Sequence, residues 1–174
     1  MSQVKIGVIY MTKPLDLSIK DDFFNEEELH NILHVVNSTP LTPRHNNDGN
    51  YGFRNDFKRD KDNQWIFDKI KKEFNLDEKL KPRDDMLSIH LRHNNHKQLA
   101  HTDPAEYIFL CYLDGEELFY NGTGFYSKSK FMNIYVGFIK NRALFFNGKD
   151  VVHTDLQSLG ESSMRYSLNI FYNE

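Results

Sequence analysis

His101-Thr102-Asp103-Pro104-Ala105-Glu106-Tyr107-Ile108-Phe109-Leu110-Cys111-Tyr112-Leu113 joins two metal-ligating side chains to an apolar run. Side chains at i and i+2 of an extended chain point to one face. The His101 imidazole and the Asp103 carboxylate can therefore meet one ion. A His-x-Asp pair occurs often by chance, so its meaning depends on what surrounds it. The uncharged run Tyr107–Leu113 reads as a buried β-strand.

Similar short runs recur on both sides: Met86–Leu91, Leu118–Tyr126, Ile134–Ile139, Ala143–Phe146 and Arg165–Tyr172. Gly, Asn and Asp clusters separate them, a pattern that predicts a sandwich or barrel. A third ligand must come from elsewhere, and His153 lies 52 residues after His101, beyond the turn Asn147-Gly148. Two imidazoles and one carboxylate on one face of an ion leave its other positions open, which suits non-haem Fe(II). In the last run, period-2 alternation puts Arg165 and Ser167 on one face and Tyr166, Leu168 and Ile170 on the other. An arginine aimed at an apolar interior needs a partner. Its planar fork suits a ligand carboxylate held bidentately, and a protein carboxylate is the structural alternative.

The N-terminal half reads differently. Val4–Tyr10 predicts a first strand. Asn25, with Glu28 three residues on, predicts a capping box. Leu29, Ile32, Leu33 and Val36 follow on one helical face, and Asn37-Ser38-Thr39-Pro40 ends it. Residues 37–62 show no periodicity and predict a long loop. A second helix is expected from Asn63 to Phe74, burying Trp65, Ile66, Ile70 and Phe74. The expected organisation is one domain over 1–174, with helical support to about residue 85 and a β core from 86 to 174.

Composition bounds the rest. A chain of 174 residues with 39% apolar and 14% aromatic side chains can fill one core. The net charge of −3 disfavours general nucleic-acid binding. The single cysteine, Cys111, excludes an internal disulfide and fits a reducing compartment, and its place in an apolar run reads as core. No signal peptide or membrane span is legible, so the expected location is cytoplasmic, with no membrane partner.

Taken together, His101-Thr102-Asp103, Tyr107–Leu113, Asn121-Gly122-Thr123-Gly124-Phe125-Tyr126, Ala143–Phe146, His153 and Arg165-Tyr166-Ser167 resemble the catalytic core of the 2-oxoglutarate/Fe(II) oxygenases, in particular the prolyl-hydroxylase-like branch. Asp21-Asp22-Phe23-Phe24 resembles the start of that branch's first support helix. The resemblance implies a double-stranded β-helix, or jelly roll, with supporting helices. It implies Fe(II) on His101, Asp103 and His153, and 2-oxoglutarate as co-substrate with its far carboxylate on Arg165. Ser167 would add a hydrogen bond, and Tyr112 stands where the branch often binds co-substrate. The implied reaction consumes O2, converts 2-oxoglutarate to succinate and CO2, and hydroxylates a C–H bond of a peptidyl or free amino acid. Ascorbate would be a supporting reductant. The chain departs from the branch in having Gly122-Thr123-Gly124 rather than a Gly-Gly pair, and no Tyr in Ser88–His93.

Other readings stay open. The same fold can serve as a non-catalytic binding domain or a nucleic-acid demethylase. His90, His93 and His96 sit at helical spacing, but a strand-then-turn context favours mouth-lining or loop residues over a second metal site. His30 and His34 are expected on a helix surface, and Arg142 and Lys140 as surface charges. Asp155 shares spacing with a ligand, but the resemblance assigns the carboxylate to Asp103. Segments 37–62, 92–99 and 127–133 are expected around the mouth, with Arg44, Arg54, Arg92 and Tyr120 as candidate contacts to a small-molecule or peptide substrate.

Overall fold

Alternation along the central strands sorts the interior into two layers. The computed structural model describes residues 16–45, 51–93, 100–118, 121–126, 132–155 and 164–174, so the expected strand Val4–Tyr10 lies outside the described residues. The elements are β1 (Leu17–Lys20), α1 (Glu26–Ser38), β2 (Thr42–His45), β3 (Tyr51–Lys58), α2 (Gln64–Glu73), β4 (Lys81–Pro82), β5 (Met86–His93), β6 (Tyr107–Gly115), β7 (Thr123–Tyr126), β8 (Met132–Val136), β9 (Ala143–Asn147), β10 (Val152–Asp155) and β11 (Met164–Asn173).

A large antiparallel sheet runs β1-β9-β6-β11-β5-β3-β2, with β4 paired to the end of β11. A smaller sheet runs β10-β7-β8. On β6, Phe109, Cys111 and Leu113 face the helices, while Ile108, Leu110 and Tyr112 face the small sheet. On β9, Phe145 faces the helices and Leu144 and Phe146 face inward. β11 sends Leu168, Ile170 and Tyr172 to the helical side. Phe125 of the small sheet meets Phe146 of the large one with ring centroids 5.1 Å apart. Two antiparallel sheets thus enclose one apolar layer, and two helices cover the outer face, as expected of a jelly roll with supporting helices.

The capping box forms as predicted: Glu28 N donates to Asn25 Oδ1 at 2.9 Å, and Asn25 N donates to Glu28 Oε2 at 2.8 Å. Ile32 and Val36 are buried, with Leu29 and Leu33 half-buried against the same core. On α2, Ile66 and Ile70 are buried as expected and Phe67 joins them, while Trp65 and Phe74 pack at the margin. His30 and His34 are exposed.

The expected long loop over 37–62 is corrected. It contains the hairpin strands β2 and β3, paired from Thr42↔Arg54 to His45↔Tyr51. β3 alternates Tyr51, Phe53, Asn55 and Phe57 with Gly52, Arg54, Asp56 and Lys58. The alternation was hidden because both faces carry polar residues: one packs on the helices through Phe57, and the other lines a polar cavity. β3 extends the large sheet by pairing with β5. Residues before Met86 therefore supply strands as well as helices.

Arg142 is also not a plain surface charge. Its Nε and Nη2 donate to the two carboxylate oxygens of Asp21 at 2.5 and 2.8 Å, and Nη1 donates to the Gly137 carbonyl at 3.0 Å. Its side chain is only 17% exposed. The guanidinium beside Asp21 holds that carboxyl below its usual range. Lys140 is exposed and pairs with Asp114, as a surface charge should.

Next to Arg142, Asn141 sits in the left-handed region at φ 66°. Its side chain accepts from Phe24 N at 2.9 Å and donates to the Phe24 carbonyl at 2.6 Å, while its own carbonyl accepts from Phe23 N. Asn141 thus ties the start of α1 to the turn before β9. Asn141→Ala would leave two buried backbone groups unpaired and place a side chain ill-suited to that φ. It is expected to cost about 2–4 kcal/mol, measurable by urea unfolding. A loss below about 1 kcal/mol would show that the tie is dispensable.

Candidate metal centre and its cavity

His101 lies outside any strand, but it forms an isolated antiparallel bridge with His153 of β10. Each backbone N–H donates to the other's carbonyl, at 3.0 and 2.9 Å. The chain then turns through Thr102, and Asp103 N donates to the Gly148 carbonyl at 2.9 Å. Gly148 has no room for a side chain: a Cβ there would lie 2.7 Å from Ile108 Cδ1 and 2.9 Å from the Ala105 carbonyl. That close approach seats Asp103 against the turn after β9.

These backbone ties bring one ligand atom each of His101, Asp103 and His153 within 4.8 Å of one another. His153 Nε2 is 3.1 Å and His101 Nε2 3.9 Å from Asp103 Oδ2. His153 Nδ1 lies 3.1 Å from the Val151 carbonyl. A proton on Nδ1 satisfies that contact and leaves Nε2 as the donor atom towards an ion. Phe146 packs against the His153 ring at 4.9 Å and limits its rotation.

The triad opens on a cavity of about 370 Å³ between the sheets. Ser167 and Asn169 of β11, His90 and Arg92 of β5, and Arg54 of β3 line it. Arg165 also lines it and is only 1% exposed. Its Nη1 donates to the carbonyls of Asn121 and Gly122, its Nη2 donates to Asp155 Oδ1, and its guanidinium carbon sits 5.0 Å from the centre of the Tyr112 ring. Arg165 Nε is buried with no hydrogen-bond partner among the described residues. The second Asp155 oxygen is 3.6 Å from Arg92 Nε. Burial would raise the Asp155 carboxyl, but Arg165 and Arg92 outweigh it and hold it below the usual carboxylate range.

His90 Nε2 is enclosed and also lacks a hydrogen-bond partner among the described residues. Burial, with help from Arg92 and Arg54, pushes the imidazole down to about 3, so the ring is neutral at pH 7. Ser167 Oγ accepts from Asn169 Nδ2 at 3.0 Å. Tyr112 does not line the cavity: its hydroxyl donates to Thr123 Oγ1 at 2.8 Å, and burial pushes it up to about 12.

The sequence-predicted residues therefore meet as follows. His101, Asp103, His153, Arg165 and Ser167 share one cavity, and Tyr112 supports Arg165 from beneath. Arg54, His90 and Arg92 reach the cavity from the neighbouring strands. Cys111 is fully buried in the other layer, where burial pushes its thiol up. His96 and Tyr120 lie outside the described residues, as do the side chains of His93 and Arg44. The grip of Asp155 on Arg165 was not read from sequence. Its signal was spacing, since Asp155 shares a strand face with His153 and that face looks into the cavity.

No protein-family model matches the sequence, and no curated protein is similar to it. Solved structures are similar over most of the chain. A 2OG-Fe(II) oxygenase family oxidoreductase from Burkholderia pseudomallei superposes with a TM-score of 0.64 at 13% identity, over 91% of this chain and 85% of that one. The chain has the fold of the 2OG-Fe(II) oxygenases. A prolyl hydroxylase from Trichoplax adhaerens, in complex with a hypoxia inducible factor oxygen degradation domain peptide fragment, gives a TM-score of 0.63 at 12% identity, over 90% of this chain and 83% of that one. A truncated viral collagen prolyl hydroxylase from Paramecium Bursaria Chlorella virus-1 gives 0.61 at 13% identity, over 99% of this chain and 100% of that one. On this oxygenase fold the expected jelly roll is realised. Among the described residues no helix is long and apolar enough to cross a membrane.

Proposed function

We propose that this protein is an Fe(II)- and 2-oxoglutarate-dependent oxygenase that hydroxylates a C–H bond of a peptidyl or free amino acid. The observation that carries this reading is the meeting of the His101, Asp103 and His153 ligand atoms within 4.8 Å, at the wall of a cavity that also holds a buried arginine.

The donor set fits the metal. Two neutral imidazoles and one carboxylate suit Fe(II), and the Val151 carbonyl fixes the His153 tautomer that such a ligand needs. When bound, the iron would supply O2 activation coupled to decarboxylation of 2-oxoglutarate to succinate and CO2. The chain's own residues do the positioning. Arg165 offers the cation for the far carboxylate of the co-substrate, with Ser167 beside it on the same strand face. Tyr112 backs the Arg165 guanidinium. Leu110, Ile108 and Phe146 form the apolar wall that limits water. His90 adds a neutral ring to the cavity wall, and Arg54 and Arg92 line the approach on the β3–β5 side.

Peptidyl or free amino acids are the proposed substrates by extension from the peptide-bound Trichoplax adhaerens neighbour. The −3 net charge and the mixed charges that line the cavity among the described residues do not favour nucleic acid. A reducing cytoplasm suits the lone buried cysteine.

The test is succinate formation from 2-oxoglutarate with Fe(II), ascorbate and O2, together with a peptide and amino-acid screen read as a +16 Da product. N-oxalylglycine with Mn(II) should also raise the melting temperature. Turnover with a hydroxylated product is the expected result. Binding of neither metal nor 2-oxoglutarate would leave only a jelly-roll binding domain.

A further inference from the structure

Register places Arg92 of β5 directly opposite Arg165 of β11. Like charges at directly opposed positions repel. Both guanidiniums look into the cavity, and one carboxylate, Asp155, stands between them. It reaches each through a different oxygen: Oδ1 to Arg165 Nη2, and Oδ2 to Arg92 Nε at 3.6 Å.

The geometry also sets an order. Bidentate recognition of a carboxylate uses two adjacent N–H groups of the guanidinium. On Arg165, Nη1 is committed to the Asn121 and Gly122 carbonyls, Nη2 to Asp155, and Nε has no partner among the described residues. A ligand carboxylate on the Nε/Nη2 edge would share Nη2 with Asp155 and set two anions side by side, and their repulsion favours release of Asp155. The displaced carboxylate has a place to go, because Arg92 already stands close to its other oxygen. Gly52 gives Arg92 that position: a Cβ on Gly52 would lie 2.7 Å from Arg92 Nη1.

We propose that Asp155 is an internal competitor for the co-substrate's far carboxylate on Arg165, and that Arg92 is the positioning residue that receives Asp155 when the dicarboxylate binds. The proposal rests on the oxygenase reading above and extends it to what sets co-substrate affinity. Asp155 holds Arg165 in its rotamer and neutralises it. Arg92 lowers the free energy of releasing it. Arg92 therefore acts through Asp155, not by touching the co-substrate.

A two-by-two cycle tests this on the full chain loaded with Mn(II). The dissociation constant of 2-oxoglutarate is measured by calorimetry for wild type, Asp155→Asn, Arg92→Gln and the double variant. Mn(II) affinity is read separately by electron paramagnetic resonance as a check on folding and on the triad. Asp155→Asn should tighten 2-oxoglutarate, and Arg92→Gln should weaken it, each about tenfold. In the Asp155→Asn background the Arg92 effect should vanish, with Mn(II) affinity unmoved throughout. An equal Arg92→Gln loss in both backgrounds overturns the proposal, since Arg92 would then act directly on the ligand or by general electrostatics. Weaker binding by Asp155→Asn overturns it as well, and decides the matter alone if Arg92→Gln fails to bind Mn(II). If the wild-type Mn(II) protein binds no 2-oxoglutarate, the oxygenase reading fails and this proposal falls with it. A flat cycle on a wild type that does bind sinks the handover alone.

Discussion

Asp103→Ala is expected to abolish 2-oxoglutarate turnover and to weaken Mn(II) or Fe(II) binding by at least about 100-fold. Asp103 is the only carboxylate of the ligand group, and even residues that merely orient ligands cost about 10–100-fold when removed. Two neutral imidazoles without it supply no charge to match a divalent cation. The fold should survive, because Asp103 reaches the turn after β9 through its backbone N–H rather than its side chain. Removing the carboxylate also takes away the 3.1 Å neighbour of His153 Nε2, which the urea control measures. A Mn(II) titration followed by paramagnetic resonance checks this, with unfolding in urea as control. Wild-type metal affinity in the variant would end the assignment of the triad.

Arg165→Leu is expected to destabilise the protein by roughly 3–5 kcal/mol, the range for deleting one partner of a buried ion pair. Asp155, 14% exposed at the side chain, would keep, among the described residues, the longer contact to Arg92. The Asn121 and Gly122 carbonyls would lose their donor at the same time. Adding Asp155→Leu should recover a large part of the loss, since well-packed apolar pairs often replace buried ion pairs without penalty. Urea unfolding of the single and double variants reads both effects. A single-variant loss under about 1 kcal/mol would mean that the pair is effectively solvated.

Much of this was legible because local rules and global fold agree. The Asn25–Glu28 capping box, the period of α1 and the inward face of β11 all follow from spacing, and the structure repeats them. His101, Asp103 and His153 could be nominated because metal chemistry restricts the residue types. Two kinds of feature were not legible. β3 hides its alternation because its inner face is polar: Arg54 lines a cavity where an ordinary strand would bury an apolar side chain, and Asp56 pairs with Arg54 and Ser88. Arg142 and Asp155 are charges whose partners, Asp21 and Arg165, are set by tertiary approach. For Arg142 that partner is 121 residues away, beyond the reach of any local pattern.

The mutual hydrogen bonds between the backbones of residues 101 and 153 stitch the two imidazole-bearing segments together by main chain alone. Their spacing is thus a property of the polypeptide and does not depend on an ion to draw them close. Chelating agents should strip such a centre while leaving secondary structure untouched, and reloading should need no refolding. Metal affinity would then report the chemistry of three side chains undiluted by the ordering of a loop.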